Sequence, residues 1–437
     1  MVRTRVSLLL ISLLGEAFAT QVSAQRGSLD PAFDKVPFEQ WLGERQEARF
    51  HWSVRVSRAE LSFHQRLAAT IDIRLDGQDL AARRRDGKLL LLIQIKDAEG
   101  TPYQEHGSIE LSKLDADAKD SYIDYSQPAF FVPGDYQLAV AILDSATGEH
   151  SSGQLRFRLA SPPHEWLKEA WRALPAIEFI GNEASPESWY LPYIRGRLQW
   201  AAAVHSPARL NVILNVAPAV PGPGSHRVPS SDLAALLPSL KALSQTGSAA
   251  LSERVALLDL SRRRTVFDQN DVHDLDWLPL KASLTQASTA SIDVHSLADR
   301  HEDAQFFVSE VRRLLRASAD KPCVLAVLTQ PVSFDSGEDL EPVSLEALPP
   351  CRVFYIRYHV AEQFVRPLPT KIRGRGRRGR LDGPMIGSRQ MEEAFDQLEA
   401  TLKPLSPKVM DVETPEQVTK ALAEIEKALL KADESSR

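Results

Sequence analysis

Apolar and polar positions alternate in short runs through the first half of the chain. Phe50-His51-Trp52-Ser53-Val54-Arg55-Val56 changes face at each residue, as does Ala69-Thr70-Ile71-Asp72-Ile73-Arg74-Leu75 before Asp76-Gly77. Leu89 to Ile95 is a more continuous apolar run, and further strands are predicted at 108–111, 122–125, 136–143 and 154–159. The sharpest stretch, Pro133-Gly134-Asp135-Tyr136-Gln137-Leu138-Ala139-Val140-Ala141-Ile142, sets Tyr136, Leu138, Val140 and Ile142 on one face. A period of two, punctuated by Gly, Asp and Pro, predicts an all-β sandwich over 44–160.

A connector follows at 161–204, with a short helix predicted around Trp166 and Trp171 and further rings at Phe179, Trp189, Tyr190, Tyr193 and Trp200. So many aromatics predict packing between two domains rather than a solvated linker. From Arg209 the pattern switches to apolar strands alternating with amphipathic helices. Strands are predicted at 210–216, 254–260, 265–268, 291–296, 324–329, 353–359 and 409–412. Helical stripes run through Leu233–Leu243, through Ala304–Leu315, through Met391, Ala394, Phe395, Leu398 and Leu402, and through Val418–Leu429. Thr414-Pro415-Glu416-Gln417 carries the cap, first-turn proline and third-position Gln of a helix start. The fold class expected is multidomain: an N-terminal sandwich and a C-terminal three-layer α/β domain over 205–432, its sheet mostly parallel and covered on both faces.

The extreme N-terminus does not belong to this pattern. Arg3 and Arg5, the apolar run Val6–Leu14 and Val22-Ser23-Ala24 before Gln25 form a cleavable export signal over 1–24. No later stretch is apolar enough to cross a bilayer, so the expected product is a soluble periplasmic or secreted protein. A net charge of -6 gives no global pull toward nucleic acid. Cys323 and Cys351 each stand just before an apolar strand. If those strands are parallel neighbours, the thiols start side by side and export permits a disulfide; two separate buried thiols are the alternative.

The order of elements from Arg209 to Leu430, with the first strand, the 254–260 and 265–268 pair, the 324–329 strand and the closing Thr414-Pro415-Glu416-Gln417, resembles a von Willebrand factor A-type domain. The Pro133-Gly134-Asp135-Tyr136 strand resembles those of immunoglobulin- and fibronectin-like modules, and the joint layout resembles exported bacterial proteins. In the factor A-type fold the first strand ends in D-x-S-x-S and a later one in L-T-D-G, which together hold magnesium. The corresponding positions here are Asn215, Ala217, Ala219 and Gln330. Neutral amides and alanines do not supply the hard oxygen set that magnesium needs, so the resemblance implies a degenerate metal site and no cofactor.

Other chemistry is sparse. His273 lies among Asp271, Asp274 and Asp276, and His295 near Asp293, Asp299, His301 and Asp303, but no fixed metal or protease spacing is present. Nucleophile-elbow and phosphate-loop glycine patterns are absent. The segment Lys371, Arg373, Arg375, Arg377, Arg378 and Arg380, interleaved with glycine, concentrates positive charge and is a candidate contact for an anionic envelope polymer, lipid or acidic protein. The expected function is a non-enzymatic protein–protein interaction or scaffolding module with an unidentified envelope or extracellular partner. The alternatives are an exported hydrolase using the His and Asp residues, and a polyanion-binding module working through the arginines.

Overall fold

The computed structural model describes residues 29–44, 50–83, 87–114, 119–180, 196–200, 208–217, 230–245, 251–272, 274–289, 300–318, 321–332, 351–359, 372–373 and 396–434. In the N-terminal region, β1 (Trp52–Val56), β2 (Glu60–Leu61), β3 (Leu67–Asp76) and β6 (Tyr122–Phe131) form one antiparallel sheet, with β2 beside β3. A second sheet runs in the order β5 (Pro102–Glu110), β4 (Lys88–Lys96), β7 (Gly134–Asp144), β8 (His150–Leu159). Their inner faces share one core: Ile71, Ile73 and Leu75 meet Leu91, Ile93, Leu138 and Val140. Alternation along each strand is what lets one face be buried this way. Tyr125 shows the tightness of the fit, since a Cβ on Gly107 would lie 2.2 Å from its hydroxyl.

The continuous apolar run in β4 has a second cause. Leu92 points to the outer face, where Phe33, Phe38 and Trp41 from the N-terminal segment cover it together with Ala139 and Ala141. That segment contains the short helix α1 (Phe38–Gly43), which alternation does not predict. A second unforeseen helix, α2 (Gly77–Ala82), stands where Asp76-Gly77 reads as a turn. The Asp76 carboxylate accepts from the Gln78 and Asp79 amides and so caps a helix instead.

The C-terminal region is a six-stranded sheet in the order β12 (Arg264–Asn270), β11 (Leu251–Asp259), β10 (Ala208–Asn215), β13 (Cys323–Thr329), β14 (Cys351–Tyr358), β16 (Lys408–Val412). All neighbours are parallel except the β11–β12 pair. Leu210, Val212 and Leu214 face α4 (Ser230–Leu243), α5 (Trp277–Thr289) and α8 (Pro415–Glu434). Ile213, Leu325 and Val327 face α6 (Arg300–Arg316) and α7 (Gln397–Leu402). Gln417 Oε1 accepts from the Glu413 and Thr414 amides, the reciprocal half of the expected cap on α8. The predicted strand at 291–296 and the residues Met391, Ala394 and Phe395 lie outside the described residues, as do 1–24.

Cys323 and Cys351 occupy the same register position on β13 and β14 and are joined by a disulfide, with their Cα atoms 4.7 Å apart. The connector also contributes structure. Its α3 (Glu165–Ala170) packs on α8, and β9 (Ile177–Phe179) joins the edge of β6. The same edge receives β15 (Ile372–Arg373): Ile372 pairs with Tyr125 and Arg373 with Asp124.

Candidate functional site

At the ends of β10 and β13, where the factor A-type resemblance places a cation site, the side chains bond to one another. Asn215 is buried; its Nδ2 donates to Thr329 Oγ1 at 3.0 Å and its Oδ1 accepts from the Ala217 amide at 3.0 Å. Thr329 Oγ1 in turn donates to the Gln330 carbonyl at 2.8 Å. Both polar atoms of the Asn215 amide are thereby used, and the group serves as a clip between parallel strands. Ala217 is buried and adds no side-chain oxygen, and Ala219 lies outside the described residues.

Carboxylates are present nearby but already paired. Asp259, buried at the end of β11, binds Arg262 at 2.7 Å and accepts from Ser261 Oγ at 2.8 Å. Asp303 is held by Arg263 Nε at 2.8 Å, and Arg263 also pairs with Glu302. At the opposite edge of the sheet, where β12 ends beside the start of β11, Asp274 pairs with Arg197 at 2.5 Å. Of the residues singled out from the sequence, Asp271, Asp274, Asp276 and Asp303 are described and form no metal-ligating group; His273, His295, Asp293, Asp299 and the side chain of His301 lie outside the described residues. Of the basic segment, Arg373 has its backbone in β15, while Lys371, Arg375, Arg377, Arg378 and Arg380 lie outside the described residues.

The polar chemistry that sequence reasoning missed lies where the sandwich meets the α/β region. Gln65 sits in the turn before β3 with a left-handed φ of 57° and no exposed surface. Its Nε2 donates to the Pro415 carbonyl at 3.1 Å, its Oε1 accepts from Thr419 Oγ1 at 2.6 Å, and its carbonyl accepts from the Trp171 indole at 2.7 Å. Three elements distant in sequence are thereby riveted by one side chain and its backbone. Beside it, buried Arg66 pairs with Glu178 at 2.5 Å and donates to the Gly196 carbonyl. Burial, then the charges of Lys241 and Arg66, push the neighbouring His64 down to about 3. Trp166 donates to buried Glu426 at 2.6 Å, and Phe63, Leu67, Leu167 and Trp171 join the core under α4 and α8.

Against this junction lies a groove of about 720 Å³. One wall runs from Val56 to Leu61, the other from Phe157 to Pro162, and Pro415 and Glu416 of α8 close one side. Strand pairing explains its position. Among the described residues β1 pairs only with β3 and β8 only with β7, so both strands present an open edge. The Trp52 indole bonds Ser151 Oγ at 2.9 Å, bringing the two edges together there, and the groove lies toward their other ends. No signal in the sequence marks this groove, because its two walls and α8 are far apart along the chain.

Among the described residues one group gathers metal-ligating atoms: Asp30, Glu105 and His106, on the N-terminal region rather than at the strand ends of the α/β sheet. No described helix is long and apolar enough to cross a membrane.

No family model matches the chain, and no curated protein matches it. Two solved structures align with part of it. Northeast Structural Genomics Consortium target SoR45 shares 15% identity over 27% of this chain and 90% of that chain, with a TM-score of 0.19. The putative ApaA protein from Bordetella pertussis shares 15% identity over 26% of this chain and 97% of that chain, with a TM-score of 0.18. Likeness at that level carries no functional argument.

Proposed function

We propose that the protein is an exported, non-enzymatic interaction module. In this reading an immunoglobulin- or fibronectin-like sandwich is joined to a von Willebrand factor A-like domain whose cation site has become the Asn215–Thr329 clip. Its partner is a protein that places an extended segment in the groove between β1 and β8. The groove carries this reading: two open strand edges offer backbone donors and acceptors, and Val56, Leu61, Leu67, Phe157 and Leu159 offer apolar holes for alternate side chains. Arg58 and Arg158 stand with Glu60 and Glu416 around it, which suits a segment carrying both charge signs. Support for a non-catalytic role comes from Asp259, Asp274 and Asp303, each occupied by an arginine.

The test places a photo-crosslinking residue at Ser161, beside the groove, or at Ser309, exposed on α6, in the full chain within its native envelope. Crosslinks from Ser161 should map to one extended partner segment and disappear when Ala59→Trp fills the groove. Equal crosslinking from Ser309, or crosslinks indifferent to Ala59→Trp, would remove the groove as the binding surface.

A further inference from the structure

We infer that Asp30, Glu105 and His106 form a binding site for one divalent transition ion of the zinc class, and that this ion clamps the N-terminal segment onto the sandwich. This goes beyond the interaction reading and does not depend on it. The three side chains offer one ligand atom each, and those atoms all lie within 4.8 Å of one another. Zinc bonds nitrogen and oxygen at about 2.0–2.2 Å, so ligands on one tetrahedral ion stand roughly 3.3 Å apart. The Asp30 Oδ2–His106 Nδ1 pair, at 2.5 Å, opens by under an ångström to admit the ion, and the remaining separations, none above 4.8 Å, close by at most about 1.5 Å, within the rotamer freedom of partly accessible side chains. The imidazole selects the ion class: calcium and magnesium prefer all-oxygen shells of six or more ligands, whereas His with carboxylates suits zinc and its neighbours.

Two features build the site. Glu105 and His106 are consecutive on β5, so their side chains leave opposite faces of the strand. Among the described residues β5 pairs only with β4, and its free side lets both reach the same point. Asp30 comes from a different element and is fixed before any ion arrives. Its amide donates to Gln104 Oε1 at 3.1 Å, and its Oδ1 accepts from the Ala32 amide at 2.9 Å. The other oxygen, Oδ2, faces His106 Nδ1 at 2.5 Å.

The position gives the ion a task. The segment from Leu29 to Glu44 makes no strand pairing among the described residues; it is held by Phe33, Phe38 and Trp41 on Leu92, Ala139 and Ala141. Its far end is pinned by Trp41 stacked on His150 at 4.2 Å and by the Glu44–His150 pair at 3.4 Å. Three ligands leave positions for water, as in open zinc sites; the ion's place between the N-terminal segment and β5 gives it a structural task. Holding the near end through a metal keeps the apolar patch over Leu92 covered.

Isothermal titration of ZnCl2, CaCl2 and MgCl2 into the chelator-treated full chain tests this directly, with limited proteolysis of residues 29–44 as the second readout. One zinc per chain should bind, with His106→Ala and Asp30→Asn each weakening it at least tenfold and Glu105→Gln weakening it measurably. Zinc should slow cleavage within 29–44 in the native chain and not in His106→Ala. Melting of each variant in EDTA checks that it is folded. Absence of zinc binding overturns the site. Binding that the His106 and Asp30 variants leave unchanged places the ion elsewhere and also overturns it, and calcium binding as tight as zinc overturns the ion class.

Discussion

Replacing Gln65 by alanine tests how the two halves are held together. The substitution removes the donor to the Pro415 carbonyl and the acceptor of the Thr419 hydroxyl, both in the buried junction. A neutral buried hydrogen bond contributes about 1 kcal/mol net, and a stranded partner costs about 1–3 kcal/mol. Relief is partial, because Thr419 Oγ1 also lies 3.2 Å from the Pro415 carbonyl and can donate there. With the void left by the lost amide, Gln65→Ala should cost roughly 2–4 kcal/mol. The backbone gives an internal check. At a φ of 57° a β-carbon is strained by about 1–2 kcal/mol, and glycine removes that strain. Gln65→Gly should therefore be more stable than Gln65→Ala by roughly 1 kcal/mol, although it has less side chain. Urea unfolding followed by tryptophan fluorescence reads the junction, since the Trp171 indole donates to the Gln65 carbonyl. Pairing with Thr419→Val should give a double mutant that is less destabilised than the sum of the singles. A Gln65→Ala midpoint within about 0.5 kcal/mol of the native protein, or Gln65→Gly below Gln65→Ala, would refute the rivet.

Three further outcomes follow from named groups. Glu253 is buried on the face of β11 that carries Leu251, Val255 and Leu257; neither carboxyl oxygen has a hydrogen-bond partner among the described residues, and burial raises its pKa well above the usual range. The native state thus binds this proton more tightly than the unfolded chain, so stability falls as pH rises from the usual carboxylate value of 4.5 through the raised one. Glu253→Leu should stabilise by roughly 1–3 kcal/mol at pH 8 and by less at pH 4; a gain that does not grow with pH would contradict this. Asn215→Ala should cost roughly 1–3 kcal/mol by stranding Thr329 Oγ1 and the Ala217 amide, and millimolar magnesium should not shift the melting of the native protein or of Asn215→Asp. Reducing the Cys323–Cys351 bridge, which spans 28 residues, should lower stability by roughly 3–4 kcal/mol in chemical denaturation.

The elements legible in the sequence are those whose burial is one-sided and repeats along the chain: the sandwich strands, the α/β alternation and the cap of α8. The side-by-side placement of the two thiols was legible too, because parallel strands that start in register bring their first residues together. Elements were missed where local chemistry points elsewhere. No helix is predicted over α5, although Pro279 lies in its first turn, where a missing amide costs no helical hydrogen bond. Asp76-Gly77 reads as a turn and proves to be a helix cap. At the strand ends the sequence showed what Asn215 and Gln330 lack; the Asn215–Thr329 clip depends on a neighbour 114 residues away. Gln65 was illegible for the same reason. Nothing local marks a glutamine that reaches 354 residues along the chain to Thr419.

The central claim is that this protein receives an extended partner segment in the groove between its two open strand edges. Hydrogen exchange of the full chain, alone and saturated with a ten-residue peptide selected from a display library, tests it most directly. The account predicts new protection at 56–61, from the end of β1 through β2, at 157–161, from the end of β8 onward, and in the first turn of α8. Protection confined to the strand ends around Asn215 and Gln330, or to the arginines from 373 to 380, with β1 and β8 unchanged, would contradict it.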